Sequence, residues 1–99
     1  MSNVTFVRIY LTEGEHMLDK LIKALHDQEH VRGVTVFRAI SGFGPSGKMH
    51  ESSLVDVSLD LPLVVEFFDT PGRAEEIIQH IKDIIDPRHI VSWLAHTED

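Results

Sequence analysis

Apolar and polar residues alternate with period two in four stretches of the chain and recur at helical spacing in two others. From Val4 to Leu11, Val7, Ile9 and Leu11 fall on one face and Phe6, Arg8 and Tyr10 on the other. That alternation, with its β-branched content, predicts a strand. Met17, Leu18, Leu21, Ile22 and Leu25 then line one stripe of a helix. Thr12 and Glu15 have the spacing of a capping box, in which hydroxyl and carboxylate satisfy free amides, so the helix is predicted to start there. Gly33 is placed to end it. Val34, Val36, Arg38 and Ile40 alternate with Thr35, Phe37 and Ala39 in a second strand, and Leu63, Val65 and Phe67 with Val64, Glu66 and Phe68 in a third. Thr70 as N-cap and Pro71 at the first helical position open a second helix. Ala74, Ile77, Ile78, Ile81, Ile84 and Ile85 form its stripe, and Pro87 stops it. Arg88 to Ala95 reads as a fourth strand, and His96 to Asp99 as a polar, frayed tail.

Two strand–helix–strand halves with right-handed crossovers predict an α+β fold: a ferredoxin-like plait, βαββαβ, with an antiparallel sheet carrying both helices on one face. The first and third strands are then central neighbours, and their Val7/Ile9/Leu11 and Leu63/Val65/Phe67 faces pack on the helices. The opposite face would show Phe6, Arg8, Tyr10, Phe37, Val64, Glu66, Phe68 and Trp93. A solvated face is mostly polar, and a large exposed apolar patch marks an interface. This face is therefore expected to be buried between subunits, with Arg8 and Glu66 close enough to pair.

Length places the 99 residues in a single domain, 1–99. A formal net charge of −7 argues against nucleic acid and against an anionic membrane surface as partners. With no cysteine, disulfides, thiolate chemistry and Cys-based zinc sites are excluded. No apolar run is long enough to insert in a bilayer, and the first residues lack the regions of a signal peptide. A cytoplasmic protein is expected.

Candidate chemistry concentrates between Arg38 and Pro62, a long Gly/Ser-rich connection of the kind that is usually functional. Arg38, Lys48 and the amides around Gly42, Gly44, Ser46 and Gly47 could meet an anion, because a backbone without side chains can be approached closely. His50 is a candidate ligand contact. The stretch is not a P-loop, since Met49 stands where Ser or Thr would follow Lys48. It is not a Rossmann fingerprint either, since it leads to a strand. Among seven histidines, His26 and His30 have helical i, i+4 spacing, but without a His-Glu-x-x-His arrangement no metal is assigned. No nucleophile elbow, cysteine or acid–base pair supports catalysis, so no enzyme activity and no required cofactor are predicted.

The segments Tyr10–Glu15, Gly33–Gly44 with the following His50, and Asp60–Glu66 resemble the PII-like proteins of the domain-of-unknown-function 190 family. Arg-x-Ile-x-Gly-Phe-Gly followed by Asp-Leu-Pro is the specific part, and the resemblance spans nearly the whole chain. It implies a ferredoxin-like homotrimer related to PII signalling proteins. Those sense adenine nucleotides at clefts between subunits and signal to a transporter or enzyme through a flexible loop, here roughly Phe43 to Asp60. The only tyrosine is Tyr10, so the loop has none to modify. A small enzyme or a metal-tolerance trimer using the same clefts is the alternative.

Overall fold

The computed structural model of the chain describes residues 1–12, 16–43, 49–51 and 61–99. Among these, β1 (Ser2–Thr12), β2 (Thr35–Arg38), β5 (Pro62–Asp69) and β6 (Ile90–Thr97) form one antiparallel sheet, in the order β2-β5-β1-β6. The central pair is the predicted one, β1 with β5, in a register that sets Arg8 opposite Glu66 and Ile9 opposite Val65. Helices α1 (Leu18–Lys23) and α2 (Pro71–Ile81) complete a mixed α+β plait. Directly opposite residues share a face of a sheet, so this register puts both apolar sets on one side. Val7, Ile9, Leu11, Leu63, Val65 and Phe67 meet Leu21, Leu25, Ala74, Ile77, Ile78, Ile81 and Ile85 in a single core.

Several boundaries differ from the sequence pattern, among them the second strand, which spans Thr35–Arg38 and stops before Ile40. β1 continues through Thr12, so Thr12 is a strand residue and not a helix cap; α1 begins at Leu18, without a side-chain cap. Glu15, the other half of the expected capping box, lies outside the described residues. Beyond Lys23 the helix widens into a π turn, Ala24–Gln28. It ends at His30, whose φ of 55° is left-handed, three residues before Gly33. Helix α2 keeps its predicted N-cap, Thr70, but the Thr70 amide bonds the Asp69 carboxylate (2.7 Å) and its own side chain makes no cap. The stripe outlasts the helix: Ile84 and Ile85 sit in turns beyond Ile81, and Ile85 is still buried. At the C-terminus, His96 and Thr97 are not a frayed tail. They extend β6 and pair with Asn3 and Ser2.

The connection from Arg38 to Pro62, read from sequence as irregular, contains a two-stranded hairpin of β3 (Ser41–Phe43) with β4 (Met49–Glu51). Residues 44–48 and 52–60 of that connection lie outside the described residues.

Candidate functional site

β2 is an edge strand, and Arg38 is its last residue, opposite Leu63 on the helix side of the sheet. Its side chain is exposed. Directly after it the Ala39 amide donates to the Pro62 carbonyl at 2.9 Å. This bond ties the exit of β2 to the entrance of β5. Gly42 is packed so tightly there that a Cβ on it would lie 3.3 Å from the Pro62 ring. Across the hairpin Gly42 pairs with His50. The chain thus brings Arg38, Gly42 and the backbone of His50 to one end of the sheet, anchored on Pro62. Gly44, Ser46, Gly47 and Lys48, the other predicted anion contacts, lie outside the described residues.

The second feature is the sheet face away from the helices. Phe6 stacks on Trp93 (5.3 Å between centroids, 10° between planes) and lies 5.3 Å from Phe68. Arg8 sits over the Trp93 ring at 5.3 Å, and its Nε donates to Glu66 Oε1 at 2.6 Å. A side-chain hydrogen bond with Tyr10, and after it the bond to Glu66, hold the Arg8 guanidinium above its ordinary value. Phe37, Phe68 and Trp93 remain 51%, 44% and 40% exposed. Among the described residues of this face, Arg8 and Glu66 supply one charge of each sign. The predicted pairing of Arg8 with Glu66 is therefore present, on a face that is otherwise mostly aromatic and aliphatic.

At the far end of the sheet from Arg38, a cleft of about 850 Å³ opens between the connector Arg32–Val34, the start of β1 and the end of β5. Thr35, Thr70, Phe6 and Phe68 also border it. Sequence reasoning did not single it out, because its lining comes from segments far apart in the chain and has no periodic signature.

Sequence reasoning also missed Glu29. It is 6% exposed, the one buried charged residue among those described. Both its carboxylate oxygens accept from His80 Nδ1 (2.9 and 3.0 Å), and Arg73 Nη1 lies 3.4 Å from Oε1. Arg73 also donates to the Glu29 carbonyl. The signal was available: Glu29 falls four residues after Leu25, where the apolar stripe would continue. The histidine pair considered for metal is separated by the same local structure. His26 contacts Asp27 (2.7 Å), while His30 has left the helix in its left-handed conformation. Among the described residues no three His, Asp or Glu side chains are grouped to hold a metal ion, and no helix is long and apolar enough to cross a membrane.

A four-stranded antiparallel plait with both helices on one face and a short hairpin beyond the end of its edge strand defines a ferredoxin-like fold. Residues 4–97 match DUF190, the family described as uncharacterized ACR, and the chain belongs to that family. A UPF0166 protein of Aquifex aeolicus is 32% identical over 80 residues, covering 77% of this chain and 76% of the relative. Among solved structures, a PII-like signaling protein from Thermus thermophilus superposes with a TM-score of 0.64 at 14% identity, covering 95% of this chain and 86% of that one. CPII from Thiomonas intermedia, bound to ADP and bicarbonate, superposes with a TM-score of 0.59 at 20% identity, covering 94% and 84%. CutA1 from Oryza sativa superposes with a TM-score of 0.65 at 10% identity, covering 99% and 84%. At such identities these structures show the fold alone.

Proposed function

We propose that the chain is a single-domain, cytoplasmic regulatory protein of the PII-like kind. It assembles as a homotrimer through the aromatic sheet face and binds a small anionic effector, an adenine nucleotide, where subunits meet. The observation that carries this reading is the placement of Arg38. An exposed guanidinium stands at the end of an edge strand, at the root of a hairpin pinned to Pro62, with a Gly/Ser-rich stretch following. Arg suits phosphate because its planar fork takes two oxygens, and Lys48 in the same connection adds a flexible point charge. In a chain of net charge −7, a local basic site helps an anion bind against the overall field. The ADP held by the Thiomonas intermedia relative supports the choice of nucleotide. Gly42, Gly44, Ser46 and Gly47 would supply backbone amides, and His50 a further contact.

Occupancy would act by favouring one arrangement of the connection between β2 and β5, which then engages a transporter or enzyme; a ligand shifts such an equilibrium by its differential affinity. The metal-tolerance or enzyme reading shares the fold through CutA1, and no side-chain arrangement among the described residues favours it.

Calorimetry with ADP and ATP tests the proposal. Arg38→Ala and Lys48→Ala should each weaken binding by roughly 1.5–3 kcal/mol, the range for hydrogen bonds to charged groups, with assembly unchanged. Adenosine phosphates that fail to bind the parent, or bind both variants equally well, would remove this site from consideration.

A further inference from the structure

Helix α1 carries a departure from ideal geometry that its own sequence does not require. Ala24-Leu25-His26-Asp27-Gln28 contains neither glycine nor proline, and such a run can continue an α-helix at modest cost. Instead the Glu29 amide bonds the Ala24 carbonyl five residues back (2.9 Å), and the Val31 amide reaches Leu25 (3.0 Å). The helix then closes over a left-handed His30, a conformation unfavourable for a residue with a Cβ. π turns and left-handed non-glycine residues persist where surrounding structure imposes them. Here the imposing group is Glu29, gripped by His80 and Arg73 of α2.

The geometry explains why the grip needs the wider turn. A π turn holds one residue more than the α turn it replaces, so each following residue takes the place its predecessor would hold in a regular helix. In a continuous α-helix Gln28 would stand where Glu29 now stands, and the contacts of Glu29 with His80 and Arg73 would be lost. One sequence would then have two registers: the π register seen here, held by the Glu29 contacts, and an α register that local propensity permits.

We propose that α1 is a two-register element latched by Glu29. Release of Glu29 from His80 and Arg73 converts residues 24–28 to α pitch and passes one residue from the helix into the connector 29–34. That connector carries Arg32 at the rim of the 850 Å³ cleft and leads directly into β2, at whose end Arg38 stands. A change at the surface of α2 would thereby reach the strand that opens the candidate site. The device does not depend on which ligand that site takes.

The test reads which carbonyl accepts the residue-29 amide, through scalar coupling across the hydrogen bond in the full chain. In the parent the acceptor is Ala24. In Glu29→Ala it should become Leu25, with His30 leaving the left-handed region and the Val31 amide exchanging at least tenfold faster. Deletion of Gln28 removes the extra residue while leaving Glu29 in its grip. It should give a regular α-helix in which the contacts to His80 and Arg73 survive and exchange slows. If Glu29→Ala does not fold, His80→Ala removes one partner and should show both acceptors in exchange. An Ala24 acceptor and unaltered exchange in Glu29→Ala, or in His80→Ala if that is the variant that folds, would overturn the proposal. So would a Gln28 deletion that breaks the Glu29 contacts.

Discussion

Replacing Phe68 by aspartate separates the fold of one chain from the assembly of several. In the isolated chain Phe68 is 44% exposed and touches the Phe6 ring at 5.3 Å between centroids. Losing that ring pair costs about 0.5–1.5 kcal/mol, and the poorer strand propensity of aspartate adds up to about 1 kcal/mol. The chain should therefore fold, with its melting point lowered by roughly 2–20 °C, at about 4–8 °C per kcal/mol for a domain of this size. If the sheet face is covered by another subunit, the same carboxylate is buried without a partner. An uncompensated buried charge costs about 3–5 kcal/mol, which at about 1.4 kcal/mol per decade weakens each contact by roughly two to three and a half decades. Sedimentation velocity over a concentration series reads assembly, and a thermal melt on the same samples reads folding. The expected outcome is a folded monomer at micromolar concentration. A Phe68→Asp chain that sediments as the parent does, or a parent that is itself monomeric, refutes the assignment of this face as the interface.

Two further outcomes test the core and the turn before β6. Ile77 is fully buried in the core, so Ile77→Ala should cost about 2–5 kcal/mol in chemical denaturation, and a loss below about 1 kcal/mol would contradict the packing described. The Asp86 carboxyl is pushed down to about 2, by the Arg88 side chain first and the Arg88 amide second. Because the folded value lies below the ordinary 3.8, its contribution to stability is complete above about pH 4 and fades as pH falls toward 2. A carbon-detected titration of Asp86 that is unaltered by Arg88→Ala would show that Arg88 is not the cause.

The helix stripes and the two faces of the sheet were legible because each is a repeat within one segment. The pairing of Arg8 with Glu66 followed from the alternation alone, once β1 and β5 were neighbours. What the pattern misplaced depended on partners distant in the chain. Thr97 and His96 are polar, yet they join a strand because Ser2 and Asn3 lie alongside to take their backbone bonds. Ser41-Gly42-Phe43 is too short to show a period, and its pairing with Met49–Glu51 had no signal before the structure. Gly33 is a good local stop, but the helix ends three residues earlier because Glu29 is held by α2. For the candidate site, Arg38 could be placed from sequence in the second strand near the glycine-rich connection; that the strand ends at Arg38, attached to the start of β5 through Ala39 and Pro62, could not.

The near-neutral sheet face has a consequence for how copies of the chain respond to ionic strength. Arg8 and Glu66 cancel one another there, so the acidic excess behind the net charge of −7 is distributed elsewhere on the molecule. Copies meeting on that face bring few opposite charges together, while their remaining surfaces repel. Added salt screens the repulsion over about 8 Å at physiological strength and leaves apolar burial intact. Association through this face should then tighten as salt is raised, the reverse of an interface made by opposed charges, and a dissociation constant that rises steadily with salt would exclude it.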